Sequence, residues 1–267
     1  MKKIVVILLC IFCISSIFSG CANSGSSISN KANAESDFEW QYTDYGVEIT
    51  RYIGKRCDVV IPETLDNKIV VSLGKAFIGN ISLTSIVLPE TIDKLDLDWF
   101  INCTSLERIE ALGAEKIYNT ADLPTLTHLI LPNLYLWNFN YSARHMPSLE
   151  YLYIPRVSTF DCTDWGGECA DSGTIWGSWS DSLKEVVIRD DLWASTGYEF
   201  EFYITNIPYV PIGDLRTETE LEIDSRYKQN NPDYYEKITK ENAAFIYCNF
   251  FQKDTIIVNG EKYSLDT

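Results

Sequence analysis

The stretch ISLTSIVLP, residues 81–89, decides the fold, because the chain keeps rewriting it. It returns as TSLERIEAL (104–112), PTLTHLILP (124–132), PSLEYLYIP (147–155) and DSLKEVVIR (181–189). With the leucine as phase marker (Leu83, Leu106, Leu126, Leu149, Leu183), the steps are 23, 20, 23 and 34 residues. An apolar residue follows three positions later in every copy: Ile86, Ile109, Leu129, Leu152, Val186. Another follows two after that: Leu88, Ala111, Leu131, Ile154, Ile188. A spacing of two puts each pair on one face of a strand. Proline comes next at Pro89, Pro132 and Pro155, where a strand can end without losing a ladder donor. An earlier half-copy, DVVIPETLDNKIVVSLGKAF (58–77), opens the series with Val59, Ile61 and Pro62.

One such unit cannot bury its apolar edge alone, whereas stacked units share a continuous core, so fixed-period repetition predicts a solenoid. Cys103, in the turn between two rungs, reads as small buried filler. The residues between the inward positions then form files on the opposite face. One file is Asp58, Ser85, Arg108, His128, Tyr151, Glu185; its neighbour is Val60, Val87, Glu110, Ile130, Tyr153, Val187. The middle of that face presents Arg108, Glu110, His128, Ile130, Tyr151 and Tyr153, an amphipathic set of the kind that anchors interfaces. A flanking segment covering the files, or β-favouring residues merely filling an exposed sheet, is the alternative.

The run FEWQYTDYGVEITRYIGKRCDVVIPETLDNKIVVSLGKAF, with NISLTSIVLPETI and FINCTSLERI after it, resembles the BspA-type leucine-rich repeat proteins of bacterial surfaces. Their pattern pairs an x-V-x-I-P opening with repeats reading A-F-x-x-C-x-S-L-x-x-I-x-I-P. Ala76-Phe77 and Trp99 to Leu106 carry the match, which spans about residues 38–190 and thins from the third repeat onward. The resemblance implies a leucine-rich-repeat solenoid, β-rich with short helical turns. It also implies surface display, adhesion or substrate capture, with no shared catalytic site.

The chain of 267 residues opens MKKIVVILLCIFCISSIFSGC. Two lysines precede an apolar stretch, Ile4 to Phe18, too short for a comfortable membrane span, which marks a secretory signal over 1–20. Phe18-Ser19-Gly20-Cys21 looks like a bacterial lipobox, in which the cysteine becomes lipidated and N-terminal; an ordinary signal with a nearby cysteine is the other reading. Residues 21–37 then read as a lipid-anchored flexible tether with a reach of about 20 Å. The expected address is exported, anchored to the bacterial envelope through Cys21 and facing outward.

The net charge of −16 becomes −18 once Lys2 and Lys3 leave with the signal. That argues against nucleic acid or an anionic membrane face as a partner. Of eight cysteines, Cys10 and Cys13 leave with the signal and Cys21 takes the lipid, so five remain. Cys162 and Cys169 can pair in an oxidising compartment. Zinc is the weaker reading, since neither His128 nor His145 lies near them at ligand spacing.

The longest step holds RVSTFDCTDWGGECADSGTIWGSWSDS, an insertion over about 156–182. Trp165, Trp176 and Trp179 among its Gly and Ser residues can stack on sugars or grip an apolar partner, or fold back as a mini-core stapled by Cys162–Cys169. Its Asp161, Asp164, Glu168 and Asp171 miss the EF-hand spacing and read as solvated charges, so no metal and no cofactor is expected. No nucleophile motif, phosphate loop or paired-histidine zinc motif is present, and no catalytic residue is assigned.

After Ile188 the period is lost. Residues 191–267 read as a mainly β, non-repetitive cap over the last rung, or as a small separate module. Residues 189–215 suit one or two strands, 230–251 is ambiguous between helix and strand, and Asn259-Gly260 signals a hairpin. The reading is a surface-anchored leucine-rich-repeat protein that binds an extracellular protein or glycan without chemistry. The alternatives are a carbohydrate-capture component of an uptake system and an inert surface spacer.

Overall fold

The computed structural model describes residues 31–118, 121–138, 146–157, 159–161, 180–189, 193–196, 202–205 and 235–265. Residues from Ala32 onward belong to one compact unit. Its first part is a hairpin of β1 (Phe38–Thr43) and β2 (Gly46–Tyr52), followed by β3 (Asp58–Val60), β4 (Thr64–Leu65) and β5 (Lys68–Ser72). Strand β5 runs parallel to β2 and antiparallel to β4, with Asp66 and Asn67 at positive φ in the two-residue turn. Phe38, Val47, Ile49, Leu65, Val70, Leu73 and Phe77 from this part are all buried and close one end of the core.

The rungs follow, each built from two short strands. Strand β6 (Ser85–Leu88) leads to β7 (Lys94–Asp96), β8 (Arg108–Ala111) to β9 (Lys116–Tyr118), and β10 (His128–Ile130) to β11 (Leu136–Asn138). Strand β12 (Tyr151–Tyr153) leads to β13 (Thr159–Asp161), and β14 (Glu185–Val187) completes the series. The first strands of the rungs form one ladder, β3-β6-β8-β10-β12-β14, parallel throughout. The second strands pair in parallel on another side of the rungs, β7 with β9 and β11 with β13, and their starts at 94, 116, 136 and 159 follow the leucine spacing to within one residue. The sequence reading missed these second strands, whose three-residue runs (KLD, KIY, LWN, TFD) share no pattern.

Two turns make the strands short. Before each ladder strand, the leucine N–H closes an i to i+3 turn: Leu83 to Asn80 O, Leu106 to Cys103 O, Leu126 to Leu123 O, Leu149 to Met146 O and Leu183 to Ser180 O, at 3.0–3.3 Å. After the strand a second turn closes with the N–H of Ile92, Ala114, Leu134 or Val157, each a buried residue. The paired inward positions expected from the repeat, Ile86 and Leu88 through Val186 and Ile188, are all buried. Between them the rungs approach closely at Gly113, where a Cβ would sit 2.2 Å from Glu90 O. Cys103 is packing, as expected: its thiol donates to Phe77 O at 3.0 Å, and burial pushes it up to about 11.

An asparagine bonds to the backbone of the rung strand at each end of the β3–β14 series. At β3, Asn33 N donates to Val60 O and Asn33 Oδ1 accepts from Val60 N, both at 2.9 Å. Asn33 is buried, residues 35–37 form a 3₁₀ turn, and Glu35 Oε1 accepts from Asp66 N at 2.7 Å. These residues were expected in the tether; their bonds to β3 and the β4–β5 turn make them part of the fold. At the other end, Asn259 N donates to Val186 O (3.0 Å) and Asn259 Oδ1 accepts from Ile188 N (2.9 Å).

Past β14 lie β15 (Trp193–Thr196), β16 (Phe202–Thr205), β17 (Tyr235–Lys237), helix α1 (Ala243–Phe251), β18 (Thr255–Val258) and β19 (Glu261–Ser264). Strand β16 pairs antiparallel with β13, and β15 joins it to β17. Strand β18 pairs in parallel with β14, so it extends the main ladder by one rung, and β19 folds back through Asn259-Gly260, both at positive φ. Within the ambiguous stretch 230–251, Tyr235–Lys237 is strand and Ala243–Phe251 is helix. Helix α1 buries Ile246, Tyr247, Cys248, Phe250 and Phe251 and packs on β18 and β19, a packing that outweighs the weak helix propensity of its aromatic residues.

Leu129→Ala removes a fully buried rung side chain and is expected to cost about 2–5 kcal/mol. Gly113→Ala forces the rungs apart and is expected to cost about 1–3 kcal/mol. The exposed Lys94→Ala should stay within about 0.5 kcal/mol of the parent. Urea unfolding of the three variants checks this ordering.

Candidate functional site

Register builds the outward face of the main ladder. His128 lies beside Arg108 on one side and Tyr151 on the other, and Tyr151 lies beside Glu185. In the next file Ile130 lies between Glu110 and Tyr153, and Tyr153 beside Val187. The files expected from the repeat are the files observed. Strands of three or four residues, each fixed by a turn at both ends, leave no room for a slip in pairing.

The face changes character along the ladder. At β3 and β6 its first file is small and polar, with Thr84 Oγ1 and Ser85 Oγ both donating to Asp58 Oδ1 at 2.9 and 2.7 Å, while Val60 and Val87 occupy the second. In the middle, Arg108 Nε donates to Glu110 Oε1 at 2.7 Å, within one strand and largely shielded from water. The rings of His128 and Tyr151 then pack with centroids 5.7 Å apart and an interplanar angle of 35°. His128 Nδ1 lies 2.9 Å from Thr127 Oγ1.

Water is partly excluded from this strip, and three groups register it. Burial, followed by the Arg108 charge, holds the His128 imidazolium below its usual range. Burial, and then the Glu185 carboxylate, pushes the Tyr151 phenol up to about 12. Burial also raises Glu185. At neutral pH the strip therefore carries a neutral imidazole and a protonated phenol beside an internally paired arginine, a surface suited to ring stacking and hydrogen bonding. Glu185 belongs to the site by this geometry, although the sequence reading placed it only in the file.

One expectation fails. Ile130 was expected to offer exposed apolar surface, yet it is 4% exposed. It stands outside the side-chain cluster that fills the interior, so it has not turned inward. Its ladder neighbours Glu110 and Tyr153 are longer side chains, one strand spacing of about 4.8 Å away on each side. Ile130 serves as a floor between them. Arg108, Glu110, His128, Tyr151 and Tyr153 are half-buried and remain on the face.

The other expected site residues, Trp165, Trp176 and Trp179 of the insertion, Cys162, Cys169 and Cys21, lie outside the described residues, as does His145. Among the described residues no group of three or more His, Cys, Asp or Glu side chains is placed to hold a metal ion, and no helix is long and apolar enough to cross a membrane.

No protein-family model matches the chain, and no curated protein matches it. Among solved structures it is similar to a leucine-rich repeat protein of T. pallidum, at 27% identity over 59% of this chain and 71% of that one, with a TM-score of 0.45. It is also similar to a leucine rich cell surface protein of Faecalibacterium prausnitzii, at 20% identity and a TM-score of 0.32 over 61% of this chain; the match spans 46% of that protein.

The perturbed groups give a pH signature. The unfolded chain protonates His128 near its ordinary value of about 6.5 while the folded state resists, so stability is expected to fall as pH drops below that value. Unfolded tyrosine ionises near about 10 but folded Tyr151 only near about 12, so stability should also fall as pH rises through that window. Urea midpoints against pH check both: His128→Gln should flatten the acid limb and Tyr151→Phe the alkaline limb, each relative to the parent.

Proposed function

We propose that this leucine-rich-repeat solenoid is a non-catalytic binding protein that holds an extracellular protein or glycan on the outward face of its main ladder. The observation that carries the reading is the rank Arg108–His128–Tyr151, in which a paired cation and two packed rings share one half-dewatered strip. Aromatic and arginine side chains in partly desolvated settings are what dominate binding energy at interfaces. In repeat arrays the extended face is the surface that individual rungs can vary without disturbing the core. Tyr151 and Tyr153 supply contact area with little side-chain entropy to lose, and Glu110 fixes the Arg108 fork. Arg108, His128, Tyr151, Tyr153 and Glu185 are the residues assigned to contact, and no cofactor is required.

The secretory signal and Cys21 support an exported, envelope-anchored setting for this face. Capture of carbohydrate through the tryptophan insertion is a separable reading, because Trp176 and Trp179 lie on a segment far in sequence from β8 and β10.

A panel of immobilised extracellular-matrix proteins and glycans, probed with the unlipidated mature chain, tests the proposal. A ligand of the sheet face should lose about 30-fold or more in affinity with Tyr151→Ala, the scale of an interface hot spot. Trp176→Ala should leave it unchanged. Retained binding in Tyr151→Ala and Tyr153→Ala together with loss in Trp176→Ala would move the site to the insertion, and binding to nothing on the panel would favour the spacer reading.

A further inference from the structure

A second surface, independent of the ladder face, lies at the β2–β3 end of the fold. Here a cleft of about 620 Å³ is lined by Arg51, Lys55, Arg56 and Lys75, with Ile78 and Gly79, and by no carboxylate. Four cations around one concavity are conspicuous in a chain of net charge −16. Arg51 has an exposed partner, Glu39, at 3.7 Å. Among the described residues Lys55 and Lys75 have no ion-pair partner, and both are exposed. The nearby Glu48 carboxylate is occupied, accepting from Gln41 Nε2 and Ser72 Oγ. Ile78 (41%) lines the cleft and is exposed, and Ile53 (46%) and Ile81 (66%), each flanked in the chain by two lining residues, are exposed as well.

Cations beside exposed isoleucines match one chemistry in particular, a phosphate-bearing headgroup with the apolar glycerol and acyl boundary beneath it. Position favours a lipid over a soluble ligand. The N–H groups of Ile53 and Gly54, at the rim, donate to Asp37 O at 2.8 and 3.1 Å. Asp37 lies close to where the chain enters the fold, and a flexible chain the length of residues 22–32 would have an r.m.s. span of about 18 Å. If Cys21 is lipidated, a link of that length keeps the point of entry within about 40 Å of the bilayer even when fully extended. The overall negative charge does not oppose the contact, because at physiological salt charges act over about 8 Å. A headgroup at the cleft senses the four cations, not the carboxylates of distant rungs.

We propose that the Arg51–Lys55–Arg56–Lys75 cleft seats on anionic phospholipid headgroups and so orients the solenoid relative to its membrane. This qualifies the expectation, drawn from net charge, that an anionic membrane face is excluded. It rests on the lipid-anchor reading for its setting but not for its chemistry, so the test omits the lipid. The mature chain carrying Cys21→Ser is sedimented with vesicles of phosphatidylcholine, or of phosphatidylcholine and phosphatidylglycerol in equal parts. Binding is expected only with phosphatidylglycerol, weakening as salt rises. Lys55→Ala and Lys75→Ala should each lower partitioning about fivefold. Ile81→Ser should lower it without changing the salt dependence. Lys94→Ala and Tyr151→Ala should leave it unchanged, which separates this surface from the ladder face. Circular dichroism identical to the parent keeps a loss from being read as misfolding. Equal partitioning on both vesicles, or an equal loss with Lys94→Ala, overturns the proposal. Saturable binding of soluble glycerol phosphate with no vesicle binding overturns the lipid assignment and leaves a site for a soluble phosphate ester.

Discussion

Everything in this fold depends on one backbone device, a carbonyl shared between two N–H groups of the next rung. Cys57 O accepts from Thr84 N and Ser85 N, Thr84 O from Glu107 N and Arg108 N, and Glu107 O from Thr127 N and His128 N. Thr127 O and Glu150 O continue the series, all at 2.8–3.3 Å. The shared carbonyl sits at the start of each ladder strand, beside the turn that sends the marker leucine inward. It therefore couples two decisions, which residue enters the core and which residue of the neighbouring rung it stands beside. A slip of one residue would break the bifurcated pair and would turn every buried side chain outward at once.

That coupling explains what could be read in advance. The leucine, the apolar residue three later and the one after that recur because the core demands them, and alternation fixes the faces by geometry alone. Hence the files through Arg108, His128 and Tyr151 were legible as residue lists. Burial within the face was not. Ile130 and Tyr153 occupy equivalent file positions, yet Ile130 is a covered floor and Tyr153 remains partly exposed, because the outcome depends on the length of neighbours across strands. The second strands were invisible for a related reason. In KLD and KIY the central Leu95 and Ile117 pack inward, and strands of three residues offer alternation too few positions to write a pattern.

Turn chemistry was read unevenly. Asn259-Gly260 was recognised as a hairpin, whereas Asp66-Asn67 was overlooked although both residues adopt positive φ. The second pair lacks the glycine that makes the signal obvious, and asparagine and aspartate tolerate the left-handed region through local side-chain hydrogen bonding. The basic cleft escaped notice for a different reason. Its cations come from the end of a hairpin, a connecting segment and a rung turn, and only folding brings Arg51 and Lys75 to one concavity. A net charge sums over distances that salt renders irrelevant, so it hid a local excess of the opposite sign.

The asparagine at the β3 edge bears on how a stack of open rungs avoids joining others. A parallel ladder leaves donors and acceptors unpaired at each outer strand, which invites edge-to-edge association. Asn33 meets both the N–H and the C=O of Val60 with its own backbone and side chain, imitating a neighbouring strand without being one. At the other end a further strand pair, β18 and β19, covers β14, and Asn259 carries the β18 pairing one residue on, to Val186 and Ile188. The backbone N–H of Asn33 supplies the donor and its side-chain oxygen the acceptor, while its Nδ2 donates to Asp37 Oδ2. Termination by a single residue is thus the device of the β3 edge alone, whereas the β14 end is closed by a strand pair whose outer member, β19, is largely polar. What the ladder presents on its outward face is side chains, Tyr151 and Tyr153 among them.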